Sequence, residues 1–420
     1  MKQKIVLIAP IQSRSGYGVH SRIIAKSLLS IPKIVENFDI EIYPLKWGNT
    51  PLNAELPSEI KQLIVHNNQI NYQPDISIHI TIPSEFQKIG KFSIGITAGT
   101  EASIAPKAFV EGCNRVDLVI TPSEFSKLVL QTTKTKDGII TNVPFEVLFE
   151  GLDTDIFTKN NVQKTELTDF LNTDVKEQFC FLFNGHWLQG NLFQDRKDVS
   201  GLVHTFLKTF MRKKKKPALL LKTSGAGFSI TERDVILDKI NQIQKAIREQ
   251  EKFNGQFPNI YVLNGELTDH QVNELYNHSK VKAMVNFTKA EGYGLPLLEF
   301  TSTGKPLICS NYSGHLDFVN PDFAVLLPGQ LTPIDHSAKN EWINEGAWFT
   351  VNYTLAGQIL NDVFENYEKY LVKSRKHPKY TNDNFSLTKM NVKFLEILEK
   401  YCSLESTQTK TFTLPKLKKL

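Results

Sequence analysis

The sequence has no uninterrupted apolar run of eighteen residues, the length a helix needs to cross a bilayer. Its first residues, Met1-Lys2-Gln3-Lys4, lead straight into a short strand-like Ile5-Val6-Leu7-Ile8 and not into the apolar core of a signal peptide. The protein is therefore expected to stay where it is made, in the cytoplasm. Cysteine is scarce: Cys113, Cys180, Cys309 and Cys402 lie far apart without a C-x-x-C pair, so neither a zinc site nor a disulfide framework is indicated. Charge of one sign is lacking too, with 49 Lys and Arg against 44 Asp and Glu. The small excess gathers at Lys213–Lys216 and at Lys416, Lys418 and Lys419, whose roles the sequence leaves open, while the first ~170 residues are close to balance. What is present, 41% hydrophobic and 22% charged residues over 420 positions, suits a soluble globular chain of two domains.

One stretch stands out, Ala290-Glu291-Gly292-Tyr293-Gly294-Leu295-Pro296-Leu297-Leu298-Glu299. Proline is tolerated in a first helical turn, so the apolar run after Pro296 reads as a helix start with Gly294 and Leu295 at its entrance. Backbone N–H groups at such an entrance are unpaired and attract anions, phosphate above all. Glu299 would sit one turn inside, placed to accept both hydroxyls of a ribose, and Glu291 would project from the loop toward whatever the diphosphate carries. The plain alternative is an ordinary strand-loop-helix connection with two solvated glutamates.

The pattern resembles the Glu-x7-Glu signature of the family-4-like retaining glycosyltransferases of GT-B fold, and the resemblance extends to Thr303-Gly304-Lys305-Pro306-Leu307-Ile308 and Ser313-Gly314-His315-Leu316-Asp317. It implies that Glu291 lies near the donor sugar and Glu299 binds the nucleotide ribose. The segments Asp195-Arg196-Lys197 and Leu220-Leu221-Lys222-Thr223 also resemble members encoded by large tailed phages, which keeps a modified DNA base among the possible acceptors.

Taken in order, Lys4–Ala9 reads as a buried strand, followed by a glycine-bearing loop and a helix from Ser21, the opening of a doubly wound domain. Gly16, Tyr17 and Gly18 in that loop are candidate donor contacts, since glycine lets backbone approach a ligand. Arg14 and His20 are candidate phosphate or acceptor contacts. Strands follow at 38–45, 75–82 and 92–97, with a polar region of unassigned order at 46–74. Glu101, beyond the fourth strand, stands where the resembling family often has a histidine, and is read as an acceptor-side catalytic carboxylate or as a helix cap. Val116–Ser126 matches a "D-x-V-x-x-P-S-x-F" segment, with Ser123 as N-cap of a helix reaching about Gln131. Asp153-Thr154-Asp155 spells the metal-binding D-x-D of a different glycosyltransferase fold, but its place before the linker argues against that role, and no metal is expected.

In the second half, 179–185 is a strand leading to the loop His186–Gln194 and to Asp195-Arg196-Lys197-Asp198. By the resemblance, Lys197 takes the lysine position that grips the diphosphate, His186 occupies the arginine position, and Arg196 supplies the guanidinium. Lys222, ending the next strand, is a further diphosphate candidate, with Gly225 and Gly227 behind it, and Gly265 lies in the segment near the base. The reading divides the chain into an acceptor-side Rossmann-like domain at 1–170, a nucleotide-sugar-binding Rossmann-like domain at 171–383, a terminal helix at 384–402 crossing back, and a loose basic tail at 403–420.

The expected protein is an α/β enzyme of GT-B architecture, two Rossmann-like doubly wound domains facing across a cleft. It would move a hexosyl or pentosyl group from a UDP- or GDP-linked donor to an acceptor hydroxyl with retention, without cofactor or metal. The acceptor, a glycan, lipid, protein or DNA base, and the oligomeric state stay open. Two other readings remain: a nucleotide-sugar epimerase of the same fold, and a non-catalytic sugar-nucleotide or glycan-binding protein.

Overall fold

The structure, a computed structural model, describes residues 2–404 except 49, 67–68, 161, 224–228 and 341–344. The basic tail from residue 405 onward and the glycines Gly225 and Gly227 therefore lie outside the described residues.

The first sheet is built from Gln3–Ala9 (β1), Phe38–Pro44 (β2), Ile76–Ile80 (β3), Phe92–Ile96 (β4), Leu118–Thr121 (β5) and Phe145–Val147 (β6). All its neighbours pair parallel in the order β2-β1-β3-β4-β5-β6. The second contains Cys180–Asn184 (β7), Ala218–Lys222 (β8), Ile260–Leu263 (β9), Val281–Asn286 (β10), Leu307–Ser310 (β11) and Val325–Leu327 (β12). It too is parallel, in the order β12-β11-β10-β7-β8-β9. Parallel strands carry helices on both faces and so read as unbroken apolar runs; Ile5-Val6-Leu7 and Leu219-Leu220-Leu221 are fully buried for that reason. A hairpin, Gly329–Pro333 (β13) with Ala347–Val351 (β14), stands apart from both sheets.

Strand order reverses between β1 and β3 in one sheet and between β7 and β10 in the other, and crevices open at such switch points beyond the carboxyl ends of strands. The loops leaving β1, β3, β4, β7, β8, β9 and β10 all contribute to one cleft between the two bodies. The chain passes to the second body between Leu152 and Thr158, whose amide already bonds Asn273 Oδ1 at 3.2 Å. It returns at Phe385–Leu387, where Leu152 N–H donates to the Phe385 carbonyl and Leu387 N–H to the Leu152 carbonyl, both at 2.8 Å. The helix Leu387–Tyr401 then packs on Gly16–Ser30 of the first body, with Lys33–Glu399 and Lys400–Glu146 ion pairs of 2.6 Å along its rim.

The stretch 160–175 contains the helix Glu166–Asp174, capped by Thr165 and clamped by Glu274, which accepts from the amides of Thr165 and Thr168 at 2.8 and 3.1 Å. The helices Tyr353–Glu365 and Tyr367–Ser374 are separated at Asn366, whose φ of −118° and ψ of 37° are not helical. The 22-residue helix Ile230–Glu251 was not foreseen, although Ile236, Ile240, Ile243 and Ile247 are buried at helical spacing.

The two bodies meet backbone to backbone. A Cβ added to Gly292 would lie 2.0 Å from the Ala98 carbonyl oxygen, and one on Gly314 would lie 2.1 Å from the Gly292 carbonyl oxygen. Ser123 Oγ donates to that Gly292 carbonyl at 2.6 Å, and the Glu124 amide donates to Asp317 at 2.9 Å. The segments Pro122-Ser123 and Ser313-Gly314-His315-Leu316-Asp317 are thus two halves of one seam. Gly292→Ala is expected to lower stability by about 1–3 kcal/mol through overpacking. Gly16→Ala, with nothing within 4 Å of its added carbon, should leave stability unchanged. Urea denaturation of both variants checks this, and equal midpoints would refute the seam.

Candidate active site

The cleft encloses about 940 Å³. Its second-body wall begins at Asp195-Arg196-Lys197-Asp198, whose conformation is fixed from three directions. Asp195 accepts from Val199 N–H at 2.8 Å and Ser200 Oγ at 2.7 Å, so it satisfies the first amide of the helix Val199–Phe210 from the preceding loop. The Arg196 carbonyl receives the Lys289 amide at 2.8 Å. Asp198, left-handed at φ 49°, is buried against Lys289 at 3.3 Å and the Tyr353 hydroxyl at 2.7 Å, and burial pushes its carboxyl up to about 7. Arg196 and Lys197 are thereby aimed into the cleft.

There they meet two carboxylates. Lys197 Nζ donates to both oxygens of Glu291 at 2.5 and 2.7 Å, and Arg196 Nη1 lies 3.6 Å from Glu291 and 2.9 Å from Glu101 of the first body. Glu291 is itself held, its amide donating to Ser313 Oγ at 2.8 Å and its carbonyl accepting from Gly314 N–H at 3.0 Å. Burial would push the Glu291 carboxyl up, but the Lys197 ammonium and Arg196 guanidinium outweigh it and hold the group at about 2. For Lys197 burial wins and the ammonium titrates below its ordinary range; for Glu101 burial likewise wins over Arg196 and raises the carboxyl.

Glu299 faces the same cleft one turn into the helix Leu295–Thr301. It accepts the Tyr276 hydroxyl at 3.0 Å, and Tyr276 accepts from Asn184 Nδ2 at 2.7 Å, a relay that orients the carboxylate from behind. Burial, with Asp269 nearby, raises this carboxyl well above its usual range. Gly294, left-handed at φ 100°, precedes the helix and no side chain among the described residues caps it, leaving the Leu295 end open to the cleft. Lys222, lowered by burial to about 8, donates to the Gly265 carbonyl at 2.7 Å. Tyr17, His186, Gly292 and Tyr293 also line the cleft, as does Gly16 at the start of its helix.

Three positions depart from the sequence reading. Gly18 does not present backbone to a ligand: a Cβ there would fall 2.0 Å from the Ser13 carbonyl oxygen, so the glycine serves close packing of loop on helix. His20 is buried behind the cleft wall, its Nδ1 2.7 Å from Glu150 Oε1. Gly265 stands behind Lys222 and does not line the cleft among the described residues. Arg14 does reach the cleft but is engaged across it by Glu266 at 3.0 Å. Asp153 pairs with Lys26 at 2.5 Å and accepts the Asp155 amide at 3.2 Å, away from the cleft lining. Conversely Arg22, Trp47, Glu150 and Asp269 line the cleft without having been singled out for it. Only Asp269 carried a local signal, as the first residue of a helix whose Thr268 and Gln271 form a capping box.

The comparisons with known proteins bear on this geometry. Residues 242–339 match the family model "Glycosyl transferases group 1". That span holds both Glu291 and Glu299 and the Ser313-Gly314 loop. No curated protein sequence matches the chain. Among solved structures, Anabaena HepE in complex with UDP-glucose is similar with a TM-score of 0.58 and 13% identity, covering 95% of this chain and 100% of its own. A glycosyltransferase from Rickettsia africae gives 0.58 and 15%, covering 95% and 98%. A sucrose-phosphate synthase from Thermosynechococcus elongatus gives 0.60 and 11%, covering 95% and 99%. The fold is the α/β GT-B architecture of these neighbours. No helix among the described residues is long and apolar enough to cross a membrane.

The buried ion pairs carry a pH signature. Glu291 has a folded value depressed below that of an unfolded carboxyl, so its contribution to stability is complete above about pH 4.5 and is lost as pH falls toward about 2. The double variant Glu291→Gln/Lys197→Met, which removes the pair without stranding either charge, should flatten that acid limb and stay near wild-type stability at neutral pH. Urea denaturation between pH 2 and 6 reads the slope; an unchanged acid limb would show that the pair does not govern it.

Proposed function

We propose that the chain is a nucleotide-sugar glycosyltransferase that transfers a sugar with retention, using a UDP-linked donor. The observation that carries this reading is the meeting of Arg196 and Lys197 with Glu291 and Glu101 across the domain cleft, with Glu299 one turn beyond. A diphosphate entering the cleft would compete for Arg196 and Lys197, with Lys222 close by, and these cations would stabilise the charge that develops on the leaving group. Glu299, already oriented by Tyr276, would take the ribose hydroxyls. Released from Arg196, Glu101 would face the acceptor hydroxyl that attacks from the face the diphosphate leaves. Closure of the two bodies would exclude water that otherwise hydrolyses the donor. The match to the group 1 glycosyl transferases and the UDP-glucose complex of HepE support the donor class; the Glu-x7-Glu spacing supports retention.

Glu299→Ala should weaken UDP binding by roughly 1.5–3 kcal/mol, the worth of a charge-assisted hydrogen bond, whereas Lys197→Ala should lower transfer on the order of 10²–10³. Calorimetry and initial rates separate the two; equal UDP affinity in Glu299→Ala and wild type would remove the ribose assignment.

With several cations lining the cleft, and Asp153 held by Lys26, no divalent ion is needed to offset the leaving charge. Transfer should therefore survive excess EDTA, and Asp155→Asn should remain active. Activity lost in chelator, restored by manganese and abolished in Asp155→Asn would overturn that assignment.

A further inference from the structure

The first-body wall of the cleft has a composition of its own. Tyr17 and Trp47 lie ring on ring, centroids 4.2 Å apart and tilted by 30°, and both line the cleft with Ile82 and Phe109 behind them. Thr100 and Tyr293 line the same cleft; the residues are only 4% and 2% exposed, and neither hydroxyl oxygen has a hydrogen-bond partner among the described residues. Buried hydroxyls are ordinarily satisfied, so two orphans lining one cavity mark a place for a polar ligand. Glu101 completes the wall, close enough to act electrostatically on the Tyr17 hydroxyl.

Charge narrows the ligand further. Seven carboxylate side chains line the cleft against five from Arg and Lys among the described residues, a formal excess of two negative charges in a protein whose total is +5. A diphosphate donor deepens that excess. Polyanion binding depends on cationic grooves that release counterions, and the first-body side of the cleft, with Arg14 and Arg22 against Glu55, Glu101 and Glu150, is not one. An aromatic face beside hydroxyl and carboxylate acceptors instead suits a sugar ring, whose C–H face packs on the rings while its hydroxyls meet the polar rim.

Resting on the glycosyl-transfer reading, we propose that the acceptor is a non-acidic sugar ring seated on Tyr17 and Trp47, with its hydroxyls at Thr100, Tyr293 and Glu101, and is not a nucleic acid. The reacting hydroxyl forms the new bond to the anomeric carbon as the bond to the diphosphate breaks, and its proton passes to the departing phosphate oxygen.

The test uses the full chain and two stages. UDP- and GDP-sugars are screened by calorimetry; if none binds, the glycosyl-transfer reading itself fails, and this proposal with it. A donor that binds is then offered with uncharged glycosides, sugar phosphates, and single- and double-stranded DNA carrying 5-hydroxymethylcytosine, with products read by mass spectrometry. We expect transfer to uncharged glycosides at a rate insensitive to salt between about 50 and 200 mM. Trp47→Ala should raise the acceptor KM by about tenfold with a smaller change in kcat, and Trp47→Phe, which keeps a ring, should largely restore it. Transfer confined to DNA or sugar phosphates, donor hydrolysis without transfer to any glycoside, or an unchanged acceptor KM in a folded Trp47→Ala would each overturn the proposal.

Discussion

Four charges, one buried and three partly buried, meet at one point between the two bodies. Glu101 comes from the first body, and Arg196, Lys197 and Glu291 from two loops of the second. Taking an ion out of water costs several kcal/mol, and each of these is tolerable only because its neighbour is of opposite sign. Removing one strands another, a loss of about 3–5 kcal/mol for a buried pair. The electrostatics that a charged ligand would exploit are thus the same ones that now draw the bodies together.

The surroundings follow from that constraint. Charges so placed need rigid supports, and each loop is tied down by backbone as well as side chain: Arg196 through the Lys289 amide, Glu291 through Ser313 and Gly314. The bodies must also approach closely enough for Glu101 to reach Arg196, which Gly292 permits by lacking a side chain against Ala98. The hairpin β13–β14 adds a second contact, Ser103 and Ala347 exchanging hydrogen bonds of 2.9 Å, one from each backbone amide. Glycine at 292 and serine at 313 therefore belong to the machinery of approach.

Much of this was legible because parallel strands buried on both faces leave continuous apolar runs, and β1, β4, β7, β8 and β10 could be read from them directly. The Glu291–Glu299 loop was legible through its glycines and proline, which restrict the backbone locally. What escaped were contacts between residues distant in sequence. Nothing near Glu101 announces Arg196, and nothing near Trp47, in a stretch that reads as polar and irregular, announces Tyr17. His20 and Gly18 looked available because the sequence there reads as a glycine-bearing loop, yet both lie in the helix Gly16–Ser30, turned inward against Glu150 and the Ser13 carbonyl. The hairpin escaped because its strands are short and β13 is mostly exposed, so it lacks the apolar pattern that betrays a buried strand.

The two places where the chain crosses between bodies are stitched to each other by the paired hydrogen bonds of Leu152 with Phe385 and Leu387. Two separate crossings would allow the halves to shear as well as turn. Two crossings fused side by side act as a single pivot, and the halves keep little more than rotational freedom about it. A rotation of a few degrees at such a pivot moves nearby atoms slightly and distant ones by ångströms. Glu101 and Arg196 stand on opposite bodies, so such a rotation changes how closely they meet.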